Sequence, residues 1–113
     1  MERSAALSLL QQHLHQESLV RHCLATEAIM RALAEKIGED PDRWGITGLL
    51  HDLDFEPTRE EMSCHGRVTG ELIGDALDPE ALHAILAHNE ATGAVRQSRF
   101  DHALAASESL TGI

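Results

Sequence analysis

Residues 48–54 read Gly-Leu-Leu-His-Asp-Leu-Asp, so that His51 and Asp52 directly follow an apolar run. The run predicts a buried helix with the His-Asp pair at its inner end. Neighbouring helical side chains point about 100° apart, so both reach one site only at a helix end or a distortion. Imidazole nitrogen and carboxylate oxygen suit divalent transition metals, and also Mg²⁺ or Mn²⁺ where carboxylates predominate. Alone, the dipeptide is weak evidence for a metal site, and a hydrogen-bonded pair or a helix-end cation is the simpler interpretation.

The composition around this stretch predicts an all-α fold. Alanine and leucine supply 31 residues, whereas the β-branched residues valine and isoleucine supply 9. Alanine and leucine favour helices, and strands prefer β-branched residues. The 113 residues contain no Pro/Gly-rich linker and fit a single domain over residues 1–113. The ending at residues 110–113 leaves open that the chain is truncated at its C-terminus.

Local signals predict where the helices begin and end. Asp40-Pro41 and Asp78-Pro79 predict helix starts, with proline at the first helical position, where its missing N–H is harmless. Gly38 predicts a helix stop. Ser4 is a candidate N-cap, and Thr58 with Glu61 resembles either a capping box or a loop turn. The predicted helices cover about residues 4–15, 18–37, 41–57, 63–77, 79–88 and 98–110.

Charge and cysteine content exclude several classes of protein. The formal charge is −10 and Lys36 is the single lysine, which disfavours sequence-independent binding to nucleic-acid polymers. No apolar run approaches the roughly 20 residues that cross a bilayer, and the N-terminus lacks the apolar core of a signal peptide. Cys23 and Cys64 cannot form a disulfide framework and suit a reducing compartment. We therefore expect a cytoplasmic protein without membrane contact.

Eight histidines stand out in this chain. Several of them, and two acidic residues, fall close to the ends of five separate predicted segments. Such residues can converge in the core of a helical bundle, where helical proteins build metal sites. The simpler alternative is a set of exposed histidines. The candidate set is His22, His51, Asp52, His65, His88 and Glu108.

This order of residues resembles the HD-domain superfamily of metal-dependent phosphohydrolases. Residues 48–54 are similar to the family's Gly-Leu-Leu-His-Asp-Ile-Gly core, and His65-Gly66 resembles its next histidine motif. Ala87-His88-Asn89-Glu90 resembles the fourth motif. Residues 103–112 are similar to the small HDIG-type branch of predicted hydrolases. The resemblance covers about Leu19 to Gly112.

The resemblance implies a metal-dependent phosphohydrolase built as a compact bundle of five to six helices, with the His/Asp cluster in a central cleft. His22, His51, Asp52 and Glu108 would hold a first divalent metal, and Asp52 would bridge to a second. The chemistry of a metal-activated water attacking phosphorus would depend on Asp52 together with the second-metal ligands His65 and His88. Mn, Mg, Fe, Ni, Co and Zn are not distinguished.

The implied substrate is a small phosphomonoester or phosphodiester, with a nucleotide as one option, and homo-oligomerisation is left open. Guanidinium groups bind phosphate in a bidentate manner, which makes three arginines near the motifs candidate phosphate ligands, although a solvated helix face is the simpler interpretation of each. They are Arg67, Arg96 and Arg99.

Three positions depart from the family pattern. Asp54 replaces the usual glycine, Phe55 stands where a lysine often follows, and Glu108 occupies the position of an aspartate ligand. Asp101 is a lower-ranked alternative to Glu108. Glu108, Asp54 and the abrupt C-terminus favour a second hypothesis, a catalytically silent HD-fold module that binds metal or ligand or mediates assembly. Glu27 is interpreted as an exposed helix carboxylate rather than a partner of a histidine.

Overall fold

A computed structural model describes residues 1–111, and all regular secondary structure in that range is helical. The all-α prediction is confirmed, and Gly112 of the last motif lies outside the described residues. Three single 3-10 turns cover Met62–Cys64, Gly74–Ala76 and Glu90–Thr92. The helices are α1 (Arg3–His13), α2 (Glu17–Ile37), α3 (Pro41–Leu50), α4 (Phe55–Thr58), α5 (Arg67–Ile73), α6 (Pro79–Ala87) and α7 (Arg99–Thr111).

Helix α2 forms the centre of the bundle and packs against α3 and α7. Helix α6 packs against α7 and α3, and α1 crosses α3. The radius of gyration is 12.4 Å. The rings of Trp44 and Phe100 stack with centroids 5.0 Å apart, joining α3 to α7. None of the helices in residues 1–111 combines the length and apolar character that a membrane span requires.

The caps predicted by Asp40-Pro41, Asp78-Pro79 and Gly38 are present. The Asp40 carboxylate accepts hydrogen bonds from the first-turn amides of α3, and Asp78 accepts one from the Ala81 amide in α6. Gly38 ends α2 in the left-handed conformation with φ of 80°, which glycine adopts without steric cost. These ends are encoded by neighbouring residues, and the sequence therefore reveals them.

The third predicted helix is wrong at its C-terminal end. Helix α3 stops at Leu50, and the chain turns before the separate one-turn helix α4 begins at Phe55. Pro57 lies inside α4 rather than ending a long helix. A proline is tolerated there because the first amides of a helix have no intrahelical acceptor. This break raises the helix count within residues 1–111 to seven, against the five to six predicted.

The candidate N-cap Ser4 is also wrong, Thr58 follows the second of its two alternatives, and α5 is shorter than expected. The N-cap of α1 is Glu2 rather than Ser4. The Thr58 hydroxyl donates to the Asp54 carbonyl at 2.7 Å, so Thr58 belongs to the turn alternative and not to a capping box. Helix α5 is bounded by Gly66 and Gly74, whose φ angles of 99° and 58° interrupt the helical path.

Candidate metal centre

Four imidazole rings converge around the carboxylate of Asp52. The Nε2 atoms of His22 and His51 are 3.1 Å apart, and those of His65 and His88 are 3.2 Å apart. Asp52 Oδ2 lies 3.1 Å from His22 Nε2 and 3.4 Å from His51 Nε2. Asp52 Oδ1 lies 2.9 Å from His65 Nε2 and 3.4 Å from His88 Nε2. Each carboxylate oxygen therefore faces one histidine pair.

His51 and His88 are placed by the same local construction. Each is the first residue after a helix, α3 and α6 respectively. The His51 ring donates from Nδ1 to the Gly48 carbonyl at 2.7 Å, and the His88 ring donates from Nδ1 to the Ile85 carbonyl. Each ring thus donates to a carbonyl near a helix end, where carbonyls lack a backbone amide donor. This bond directs Nε2 toward the centre of the cluster.

The end of α3 explains how adjacent residues reach one site. The Leu53 amide bonds the Leu50 carbonyl at 3.1 Å, which tightens the chain immediately after the helix. A Cβ atom at Gly48 would lie 3.0 Å from Met30 Cγ and 3.2 Å from the Thr26 carbonyl oxygen in α2. Glycine therefore allows α3 to approach α2 closely enough for His51 to meet a histidine of α2.

His65 is carried by a loop between the Met62–Cys64 turn and α5. Gly66 follows it with φ of 99°, and a Cβ atom there would lie 3.1 Å from the Ile85 carbonyl oxygen. The Asn89 amide group donates to the Met62 carbonyl at 2.7 Å and to the His65 carbonyl at 2.9 Å. These contacts fix the loop against the end of α6, which brings His65 beside His88.

Asp54 is a fully buried carboxylate directly behind His65. Its Oδ1 accepts from His65 Nδ1 at 2.7 Å, and its Oδ2 accepts from the Gly66 and Thr69 amides, each at 2.8 Å. The replacement of the family's glycine therefore adds a bonded partner to one of the cluster histidines. This contact was not predicted, although the replacement itself is visible in the sequence.

Helix α7 closes the side of the cluster near His22. The Thr111 hydroxyl lies 2.9 Å from His22 Nδ1. Glu108 Oε1 lies 3.8 Å from His22 Nε2, and a quarter of the Glu108 side chain is exposed. Glu108 therefore borders the cluster and is more accessible than the other residues of the predicted set.

Burial in the cluster disfavours the ionised forms of its side chains, whereas hydrogen bonds and neighbouring charges favour them. Burial opposes the charge on Asp52, but the imidazoles around it, first that of His51, hold the pKa of this carboxylate well below its usual range. Burial likewise opposes the charge on His65, yet its bonds to Asp52 and Asp54 raise its pKa to about 9. Burial lowers the pKa of His88. Asp52 is thus an ionised acceptor placed between the two histidine pairs.

The donor set fits a divalent cation. Carbonyl and carboxylate oxygens only accept hydrogen bonds, so His51, His65 and His88 in their neutral forms carry the proton on Nδ1 and present the Nε2 lone pair inward. The Nε2 lone pairs of His65 and His88 then face each other 3.2 Å apart, which requires positive charge between them, either a cation or a ring proton. Two sets of donor atoms lie within 4.8 Å of one another: His22 with His51 and Glu108, and His51 with Asp52 and His88.

A cleft of about 470 Å³ opens onto the cluster. No lysine or arginine is among the described residues that line it. Arg59 lies beside the lining residue Phe55: its guanidinium is 5.4 Å from the centre of the Phe55 ring and donates to Gln16 Oε1 at 2.9 Å. The lining residues are Ser18, Leu19, His22, Asp52, Phe55, Glu108 and Thr111.

A sequence model of the HD domain matches residues 19–110, and the ordered histidines and aspartate lie together in the structure. The chain belongs to the HD-domain family. No curated protein and no solved structure matches the chain. The match confirms the family resemblance seen in residues 48–54, whereas membership of the HDIG-type branch stays a prediction.

Within this HD domain the three candidate phosphate arginines lie away from the lining of the cleft. Arg96 donates to the carbonyls of Ala87 and His88 at 2.9 and 3.1 Å and so caps the end of α6. Arg99 binds Glu39 at 2.8 Å. Arg67 is exposed at the start of α5. Arg59, which was not among these candidates, lies four residues after Phe55, a spacing that places two side chains on one helix face.

Two further carboxylates are buried outside the cluster. Asp101 accepts from His83 Nδ1 at 2.9 Å and from the Gln97 amide at 3.0 Å, at the start of α7. The interpretation of Glu27 as an exposed carboxylate is wrong, because it is 4% exposed. Arg3 of α1 donates to it at 2.6 Å and Arg31 of α2 donates to it at 3.2 Å. Burial of a charge requires such partners, and Arg3 lies 24 residues away along the chain.

Proposed function

We propose that this HD domain is a metal-dependent phosphohydrolase for a small phosphomonoester or phosphodiester, with a nucleotide as one candidate. One observation carries the proposal: four imidazole Nε2 atoms face the two oxygens of Asp52 at the foot of an open cleft. The formal charge of −10 supports a small substrate rather than a nucleic-acid polymer. We also propose a cytoplasmic location for the protein.

The residues divide into two halves around Asp52. His22 and His51, with Glu108 at the border, would hold a cation on the Oδ2 side, and His65 and His88 would hold one on the Oδ1 side. When bound, a divalent cation supplies an activated water and offsets the charge of phosphoryl oxygens. The overall reaction adds water across the phosphorus–oxygen ester bond and releases the alcohol.

The side chains of the cleft wall have their own tasks. The Phe55 ring contacts His65 edge-on with centroids 5.3 Å apart, so it shields that imidazole from water. The Arg59 guanidinium lies over the Phe55 ring and donates to Gln16 Oε1. No carboxylate of the described residues lies within 4 Å of it. We assign to Arg59 the recognition of the substrate's anionic group at the mouth of the cleft, in place of the lysine that Phe55 replaces.

A module that binds metal or ligand without turnover is the second candidate. The observation that favours it is the acidic lining of the cleft, where Asp52 and Glu108 face the space without a lysine or arginine among the described lining residues. Glu108 also remains 3.8 Å from His22 Nε2. An acidic cleft attracts cations and repels unaccompanied phosphate.

The test combines metal content with a substrate screen. Protein purified without chelator is examined by elemental analysis and then assayed with Mn²⁺, Mg²⁺, Ni²⁺ or Co²⁺ on p-nitrophenyl phosphate, its bis-ester and nucleoside monophosphates. We expect bound metal and hydrolysis in the parent chain. His51→Ala should lose hydrolysis and part of the metal, whereas His102→Ala, which removes an exposed histidine outside the cluster, should retain both. Metal binding without hydrolysis of any substrate would favour the second candidate.

The same assay tests Arg59. Arg59→Gln should raise KM about tenfold, since one charged contact to the substrate is lost, while leaving metal content unchanged. Arg99→Gln is the matched control, because that arginine binds Glu39 on another surface. Equal KM values for the parent and Arg59→Gln would remove Arg59 from the substrate site.

A further inference from the structure

Asp54 distinguishes one histidine of the cluster from the other three. The Nδ1 atoms of His51 and His88 face backbone carbonyls, and that of His22 faces a hydroxyl. Within residues 1–111, His65 alone of the four has a carboxylate at Nδ1, that of Asp54 at 2.7 Å. Asp54 is also fully buried, so solvent does not weaken this contact.

We propose that Asp54 is a positioning residue that acts through His65 on metal affinity. The inference rests on the proposed function in requiring that the cluster binds a cation. The Asp54 carboxylate holds the His65 proton on Nδ1 and leaves Nε2 free to face Asp52 Oδ1, 2.9 Å away. A carboxylate behind a ligating histidine fixes the ring and strengthens its donor nitrogen, and loss of such a partner typically weakens metal binding by about 10–100-fold.

A purely structural role is the rival explanation. Asp54 Oδ2 accepts from the Gly66 and Thr69 amides at the start of α5, and the Asp54 backbone amide donates to Thr69 Oγ1 at 3.1 Å. These bonds hold the loop whether or not metal is present. If they were the whole role, substitution would lower thermal stability and leave the metal affinity of the folded protein unchanged.

Asp101 provides a matched control for this test. It is equally buried and accepts from a histidine Nδ1, that of His83 at 2.9 Å. It also accepts from two backbone amides, those of Gln97 and Ser98 at 3.0 and 3.3 Å. Its histidine does not belong to the cluster. Asp101→Asn therefore makes the same chemical change at a buried carboxylate with the same kinds of partners, without touching the metal centre.

The experiment measures Mn²⁺ affinity by calorimetry and thermal unfolding in chelator for the parent chain and both variants. Asp54→Asn should bind Mn²⁺ about 10–100-fold more weakly, whereas Asp101→Asn should stay within about threefold of the parent, even if both unfold at lower temperature. Parent-like affinity in Asp54→Asn overturns the inference alone. Absence of Mn²⁺ and Zn²⁺ binding by the parent overturns the proposed function and this inference with it.

A second measurement uses the parent protein and so does not depend on whether a variant folds. In Zn²⁺-loaded parent protein, ¹⁵N nuclear magnetic resonance reports which ring nitrogen of His65 carries the proton. The inference expects a proton on Nδ1 with a strongly downfield shift from its bond to Asp54. A proton on Nε2, or an Nδ1 proton with the shift of a solvent-bonded imidazole, overturns it.

Discussion

At Glu108 the length of the side chain decides whether its carboxylate reaches a cation in the cluster. Its Oε1 lies 3.8 Å from His22 Nε2, at the border of the cluster. Metal–ligand distances are fixed to within about 0.2 Å, so a shorter side chain at this point of α7 does not reach as far. The accessible position of Glu108 gives it freedom to rotate toward a cation, which the buried residues of the cluster lack.

We therefore predict that Glu108→Ala and Glu108→Asp both weaken metal binding, by tenfold or more, because an aspartate falls short by about one bond. Glu71→Ala, at an exposed carboxylate of α5, should bind as the parent does. Calorimetric titration with Mn²⁺ measures the effect. If Glu108→Ala binds normally while His51→Ala does not bind, Glu108 is not a ligand and the site consists of the histidines and Asp52.

At the scale of single residues, the sequence predicts the members of the cluster better than the contacts between distant residues that hold buried side chains in place. His51-Asp52 is recognisable because the pair follows an apolar helical run. The role of Asp54 depends on His65, 11 residues later, and that of Glu27 depends on Arg3, 24 residues earlier. No periodicity links such partners, and only the packing of the helices brings them together.

The ends of the helices show the same division between local and distant causes. Asp40, Asp78 and Gly38 cap their helices through neighbouring residues, and these caps were predictable. The end of α3 at Leu50 was not, because residues 51–54 turn to place His51 and Asp52 in the cluster. A helical continuation to Pro57 is compatible with local propensity, so the site rather than the propensity sets this boundary.

The Asp78 cap of α6 leads to a prediction about pH. Arg43 beside it lowers the pKa of Asp78 from 3.8 to about 2. Since the folded-state pKa is depressed, its stabilisation is present above about pH 4 and is lost as the pH falls toward 2. Asp78 is partly exposed, so after allowance for solvent screening we expect about 1 kcal/mol. Asparagine keeps the cap and removes the charge.

Asp78→Asn should thus be less stable than the parent at pH 7, with a difference that shrinks between pH 4 and pH 2. Urea unfolding at pH 7, 4 and 3 measures it. Asp75→Asn, at an exposed acid for which the described residues show no ion pair, should match the parent throughout. A difference between parent and Asp78→Asn that stays constant down to the lowest pH would show that the charge is not its cause.

For the whole molecule, the metal centre ties together segments that are distant in sequence. His22 comes from α2, His51 and Asp52 from the end of α3, His65 from a loop, and His88 from the end of α6. In the unfolded chain these groups are not held close together. A cation that binds the cluster therefore binds the folded state far more tightly than the unfolded one. The order of these residues predicted the family, but only the fold shows that one carboxylate separates two histidine pairs.

Binding to the folded state alone stabilises it by about 2.7 kcal/mol when free metal is 100 times Kd. For a domain of 113 residues that corresponds to a rise in Tm of about 10 °C. We predict such a rise when Mn²⁺ or Zn²⁺ is added to chelator-treated parent protein, followed by circular dichroism at 222 nm. His51→Ala should show a smaller rise, because its half of the cluster is opened, whereas His102→Ala should behave as the parent. A parent Tm that is the same with and without saturating metal would mean that the cation does not join these segments, and the facing imidazoles would then be held by protons instead.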